Sequence, residues 1–232
     1  MGSKKKILAI GAHPDDIEIG CGGSLALAQR QGHEIYNLIL TDGEAGSQKI
    51  SKQDLSIKRK QEAINAAQML GIQNVDFLGF EDGLTHVERP MKIQLIDKIR
   101  SIKPQVVFIH SSWDQQWDHS LFHHLCRKSV DAAKGPWFQE TKEAPHSVET
   151  VLGFEVWHPI PDPNLVVDIS SVMDLKIKAL KEHVSQVSSV AYDQAFQGLA
   201  RYRGVMTHTG TYGEAFEVIT TSTETNFTSL FR

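Results

Sequence analysis

Hydrophobic positions in this chain come in short blocks rather than singly. Residues 7–12 are apolar, close on His13-Pro14-Asp15-Asp16, and pass through a glycine-rich stretch into Leu25, Ala26, Leu27 and Ala28. That order predicts strand, loop, helix. A second apolar run over residues 35–40 ends at Thr41-Asp42-Gly43. Beyond it, Ile57, Ile64, Ala67 and Leu70 fall on one predicted helical face, and Gly71 predicts the helix end. Residues 75–78 predict a third strand. Leu95, Ile99 and Ile102 predict another helix, and residues 106–109, wholly apolar after Pro104, a fourth strand. Residues 151–157 and 166–169 predict later strands, and Ile177, Leu180, Val184 and Val187 a further helical stripe. The irregular composition of residues 136–147 predicts a mobile loop over the site.

Strands that are apolar on both faces and alternate with helices need cover on both sides of the sheet, which predicts an α/β fold with a mostly parallel, doubly wound sheet. The chain has 232 residues, 41% of them hydrophobic, and no internal repeat, so residues 1–232 are expected to form a single domain. In such sheets the chemistry gathers at the carboxyl ends of the strands.

Charge and cysteine content narrow the function classes. A net charge of -4 without a long Lys/Arg run argues against a surface that neutralises nucleic-acid phosphates, so a small-molecule ligand is expected. The two cysteines, Cys21 and Cys126, are too few for a disulfide framework and point to a reducing compartment. Lys4, Lys5 and Lys6 ahead of residues 7–10 imitate a signal peptide, but the apolar run ends at once and reads as strand. No apolar run approaches the roughly 20 residues of a membrane helix. The expectation is a cytoplasmic protein without membrane insertion.

The chemistry-bearing residues lie at the predicted strand ends. His13 and Asp16 flank Asp15 where the chain turns from strand to helix, and Pro14 keeps the preceding residue extended. Imidazole and carboxylate both suit zinc, and a catalytic zinc takes about three protein groups plus an open position. His119 is the candidate third ligand, since it follows the strand over 106–109; His123 and His124 fit as well on spacing alone. His119 and His123 stand four apart as in H-E-x-x-H helices, but Ser120 replaces the glutamate. His123 is therefore expected at the surface or behind a ligand. Asp15, adjacent to Asp16 and pointing elsewhere, is the candidate general base for a water whose pKa zinc lowers to about 7. An ordinary reading stands beside this one: paired carboxylates before a helix often cap it, and a histidine at a strand end is often only hydrogen-bonded. Trp113 and Trp117 flank the same region and suit either a sugar face or core packing.

Ala12-His13-Pro14-Asp15-Asp16 with Glu18, Gly20, Gly22 and Gly23 resembles the signature of the PIG-L/LmbE-like N-acetylglucosaminyl deacetylases. The likeness continues through Thr41-Asp42-Gly43-Glu44-Ala45-Gly46, Arg59 and Glu62, Phe80-Glu81-Asp82-Gly83, Val167-Asp168-Ile169-Ser170, Lys178-Ala179-Leu180 with His183 and Gln186, and Gly213-Glu214-Ala215-Phe216. The resemblance implies a Rossmann-like fold, zinc or another divalent ion on His13, Asp16 and His119, and Asp15 as general base. It also implies substrate contacts from Arg59, Gln116, Asp118 and His183, a homo-oligomer such as a trimer or hexamer, and removal of an N-acetyl group from an N-acetylglucosamine-type sugar or conjugate. Arg59 and Glu62 have a plainer alternative as a surface pair on one helix face. The chain departs from the family at Gln116, where a histidine usually precedes the last ligand. Glutamine donates a hydrogen bond but delivers no proton, so Asp15 is expected to serve as acid also, with a pH profile lacking the histidine limb. An amidase for another acyl group or a thiol conjugate, and a sugar-binding homologue without turnover, are the competing expectations.

Overall fold

A computed structural model describes residues 4–83, 86–222 and 227–231. The first apolar run is β1 (Lys6–Gly11), and it enters α1 (Asp16–Arg30) directly after the His-Pro-Asp-Asp turn. There follow β2 (Glu34–Thr41), α2 (Lys52–Met69), β3 (Asn74–Phe80), α3 (Arg89–Ile102), β4 (Val106–His110) and α4 (Trp117–Ala133). The second half comprises β5 (Thr150–Phe154), β6 (Leu165–Asp168), α5 (Met173–Lys181), α6 (Val184–Val187), α7 (Tyr192–Met206), β7 (Gly213–Thr221) and a short α8 (Thr228–Phe231).

The strands form one sheet in the order β3-β2-β1-β4-β5-β7-β6. β1 to β5 pair in parallel, and β7 runs antiparallel to both of its neighbours. Both faces are buried, as the apolar runs predict. Along β1, Ile7 and Ala9 join a core with Leu25 of α1, Ala66 of α2 and Leu180 of α5, while Leu8 and Ile10 join a second core with Leu95 of α3 and Phe122 of α4. β1 lies between β2 and β4, so the chain reverses its winding there and opens a crevice at the carboxyl ends of the strands.

Several elements differ from the sequence expectation. α2 buries only part of the expected face: Ala67 and Leu70 are buried and Ile64 is half-buried, but Ile57 is 64% exposed, and the buried side also carries Leu55, Arg59, Glu62, Ala63 and Ala66. Two charged residues on that side hid it from a hydrophobicity pattern. Gly71 ends the helix as expected, at φ 80, where a side chain would be strained. The stripe over 177–187 is broken between α5 and α6, because His183 turns into the interior and leaves Val184 exposed. The strand expected over 151–157 ends at Phe154. α7 and β7 were not legible as elements. Residues 136–147 lie away from the crevice: they hang on Arg100, which donates to Gly135 O and Trp137 O, and His146 Nε2 reaches Pro104 O before β4. Among the described residues no helix is long and apolar enough to cross a membrane.

Candidate metal centre and active site

Three loops meet at the crevice. The β1–α1 turn brings His13, Asp15 and Asp16, the β3–α3 loop brings Asp82, and the loop from β4 into α4 brings Asp114, Gln116, Asp118 and His119. His13 Nδ1 lies 3.2 Å from His119 Nε2 and 3.4 Å from Asp16 Oδ2, and His119 Nε2 lies 3.3 Å from Asp16 Oδ1. Tetrahedral ligands about 2.0–2.1 Å from a zinc stand about 3.3–3.4 Å apart, so the donor set fits an ion of that size.

The outward nitrogens of both rings set their tautomers. His119 Nδ1 is 2.9 Å from Asp114 Oδ2. His13 Nε2 is 3.1 Å from Asp118 Oδ2 and 3.2 Å from Asp82 Oδ1. A carboxylate on the far nitrogen holds the proton there and leaves the inner nitrogen as a lone pair. Two lone pairs and a carboxylate oxygen then face one another at close range, an arrangement that calls for a cation.

Electrostatics mark the same place. Burial pulls the His119 pKa down, but Asp16 and Asp114 outweigh it and hold it at about 9. Burial likewise opposes His13, and hydrogen bonds to Asp118, Asp16 and Asp82 raise it well above its ordinary value. The adjacent carboxylates are driven apart. Burial lifts Asp15 despite the Arg59 charge, whereas Asp16, although buried, is pulled well down by His119 and His110. A carboxylate kept ionised suits a ligand, and a more basic one suits proton transfer.

Asp15 does not cap α1. Its side chain makes no capping bond, and its backbone sits at φ 125, ψ -26, which an L residue rarely adopts. Arg59 instead reaches it: Nη2 is 3.2 Å from Asp15 Oδ2 and 2.5 Å from Pro14 O, while Nη1 donates to Gly43 O at 3.0 Å. The surface pairing of Arg59 with Glu62 is not formed, because Glu62 is buried and accepts from Ser185 N and Oγ.

A family model described as GlcNAc-PI de-N-acetylase, PIG-L, matches residues 8–130, which carry every one of these loops. The chain belongs to the PIG-L family. Diacetylchitobiose deacetylase of Thermococcus kodakarensis is 32% identical over 191 residues, covering 78% of this chain and 70% of the relative. The structure of N,N'-diacetylchitobiose deacetylase from Pyrococcus horikoshii matches with TM-score 0.84 and 28% identity over 93% of this chain and 84% of that one. The chain is also similar to hydratases. 4-Oxalmesaconate hydratase of Pseudomonas putida is 27% identical over 77% of this chain and 72% of its own. The structure of a 4-carboxy-2-hydroxymuconate hydratase from the same species matches with TM-score 0.85 and 25% identity, covering 96% and 99%.

In this PIG-L protein the crevice is a cleft of about 280 Å³, and His13, Asp15, Asp16, Arg59 and Gln116 all line it. Asp118 and His183 are not among its lining residues: Asp118 backs His13, and His183 Nε2 meets Glu18 Oε2 at 3.1 Å in full burial. Gln116 Oε1 accepts from His119 N at 2.8 Å and so caps α4, leaving its amide NH₂ as the remaining polar group. His123 is buried, not superficial, with Nδ1 on His110 O at 2.8 Å. His110 stacks on His119 at 3.9 Å, and burial first, then the His119 charge, lowers its pKa to about 4. Trp113 and Trp117 are exposed, which excludes core packing. Sequence reasoning did not single out Asp114, which also accepts from Gln116 N, Trp157 N and the His158 ring, nor Tyr192 and Phe196 on the cleft wall, and it reads Trp157 as a strand end near an oligomer contact rather than as part of that wall. A carboxylate five residues before a candidate ligand histidine was the one available signal for Asp114.

Proposed function

We propose that this PIG-L protein is a metal-dependent hydrolase that removes the N-acetyl group from an N-acetylglucosamine-type sugar or conjugate. One observation carries the reading: two imidazole nitrogens and the Asp16 carboxylate converge on one point, with a more basic carboxylate, Asp15, buried beside them. His13, Asp16 and His119 would hold the ion; two nitrogens and one oxygen suit zinc, although such a set accepts other divalent ions. When bound, the ion supplies Lewis acidity toward an acyl oxygen and makes water more acidic.

The chain's own groups supply the rest. Arg59 engages Asp15 Oδ2 and leaves Oδ1 to take the proton of an attacking water. Burial of Asp15 makes that oxygen more basic than an ordinary carboxylate, and its protonated form then gives the proton to the departing amine. The Gln116 amide donates to the carbonyl oxygen as negative charge develops there. Asp114 and Asp118 keep the rings of His119 and His13 in the working tautomer.

Acetate release from a panel of N-acetyl sugars tests this reading. Activity is expected to fall on chelation, to return with zinc, and to drop by about 10²–10⁴-fold in Asp15→Asn with metal content unchanged. Activity indifferent to both the chelator and the substitution overturns it. A second reading, hydration of a carbon–carbon double bond in a polycarboxylate, rests on the likeness to the two hydratases. Ultraviolet loss of an enedioate substrate without acetate release from any sugar would select it.

A further inference from the structure

Asp114 is a junction rather than a partner of His119 alone. It is fully buried, and four hydrogen-bond donors surround its carboxylate. Oδ2 takes His119 Nδ1 at 2.9 Å and Trp157 N at 3.0 Å, and Oδ1 takes Gln116 N and His158 Nδ1, each at 3.1 Å. The backbone N–H groups of Gln116 and Trp157 fix the orientation of the carboxylate without help from His158. Burial alone would raise the Asp114 pKa, but the bond and charge of His119, then the His158 bond, then Gln116 N, hold it at about 2. Asp114 is therefore an anion throughout the neutral range, and its charge is shared among all of these donors.

His158 is the unusual member of the set. Its side chain is 51% exposed, whereas Asp114 and His119 are wholly buried. The segment that carries it is braced on both sides of the ring: Trp157 N is tied to Asp114, and Ile160 N donates to Glu155 Oε2 at 2.7 Å. Glu155 in turn pairs with Arg203 through both of its oxygens, at 3.0 and 2.6 Å. Gln115 N–H is directed at the same His158 nitrogen at 3.1 Å and would need it bare. The charged acceptor is the stronger partner, so the proton stays on Nδ1 and is donated to Asp114.

A donor that shares a carboxylate draws charge from the other donors. How strongly Asp114 polarises His119 Nδ1–H sets how electron-rich the opposite nitrogen is, and that nitrogen, Nε2, faces His13 and Asp16. On the metal-binding part of the reading above, and independently of its substrate, we propose that His158 is a positioning residue for the centre: by occupying Oδ1 of Asp114 it weakens the Asp114–His119 bond and so sets how firmly His119 holds an ion.

Zinc affinity of the intact protein, measured by competition with a chromophoric chelator, tests this. His158→Phe keeps a ring and removes the donor, and zinc Kd is expected to fall by about threefold, a fraction of the roughly 10–100-fold that a direct outer partner is worth. A histidine needed only for folding would loosen zinc when removed, so tightening is the distinguishing sign. His158→Asn places an amide N–H where Nδ1 stands and should restore the native Kd. Asp114→Asn should raise Kd by about 10–100-fold, and adding His158→Phe to it should change nothing further, because the effect runs through Asp114. In zinc-loaded His158→Phe the proton on His119 Nδ1 should move downfield in the NMR spectrum as its bond to Asp114 strengthens. If Asp114→Asn does not fold, the contrast between Phe and Asn at position 158, together with that proton, decides the matter. A Kd unchanged or raised in His158→Phe, or the same shift in the Asp114→Asn background, overturns the inference and leaves the deacetylase reading standing. The expected zinc shifts without acetate release from any sugar support the inference and remove the deacetylase activity. Absence of saturable zinc binding in the native protein overturns both.

Discussion

Asp15 holds a backbone angle, φ 125, that in an L residue costs on the order of 1–3 kcal/mol. The cost is maintained because the turn aims its carboxyl at Arg59 and the cleft rather than at the end of α1. Asp15→Ala and Asp15→Gly both lose the Arg59 contact, so the difference between them isolates the strain. The glycine variant should be more stable than the alanine variant by about 1 kcal/mol in urea unfolding, opposite to the usual order. An alanine variant as stable as the glycine one would mean that the turn relaxes. At this scale the residue types around the centre were legible in the sequence, because few side chains can hold an ion or move a proton. Their partners were not. Arg59 stands three positions from Glu62 and 44 from Asp15, yet it reaches Asp15.

Between elements, close approach explains what the hydrophobic pattern does not. α1 carries glycine where it crosses β5: a Cβ at Gly20 would lie 2.2 Å from Phe154 Cδ2, and one at Gly23 2.9 Å from Ile169 Cγ2. Phe154 in turn rests against the His110 ring at 4.7 Å. Gly20→Ala should therefore destabilise the fold by about 1–3 kcal/mol, read as a lower midpoint in thermal or urea unfolding. No loss of stability would mean that Phe154 yields freely. Strands over 7–12, 35–40 and 106–109 were legible because central parallel strands are buried on both faces and need no alternation. The inner faces of α2 and of the α5–α6 pair were not, since Arg59, Glu62 and His183 are buried there by partners from other elements. β7 was missed because its outer end is partly exposed and it runs antiparallel between β5 and the edge strand β6.

Across the molecule, burial of ionisable groups at one crevice makes stability depend on pH. His110 has its pKa lowered to about 4, chiefly by burial. Its stabilising contribution is present above the unfolded value of about 6.5 and is lost as the pH falls toward 4, about 3 kcal/mol in all. His119 acts in the opposite sense. Held at about 9, it contributes below about 6.5 and the contribution is lost as the pH rises through 9. Chelator-treated protein is thus expected to be most stable near pH 6–7, roughly where an unperturbed histidine titrates. Zinc should flatten the alkaline side by taking the place of the proton. Urea unfolding across this range checks both limbs, and an acid limb unchanged in His110→Gln would remove His110 as its cause.

The order of apolar runs determines an α/β fold with a mostly parallel sheet, since hydrophobic burial on two faces leaves few other arrangements for these segments. The residue types at the strand ends likewise determine that ion binding and proton transfer are within reach of the chain. Only the folded structure decides which groups meet. Crossing the sheet between β1 and β4 sets His13 beside His119, 106 positions apart, and puts a different carboxylate behind each ring. Those contacts join loops from separate strands, and sequence separation carries no information about distance across a sheet.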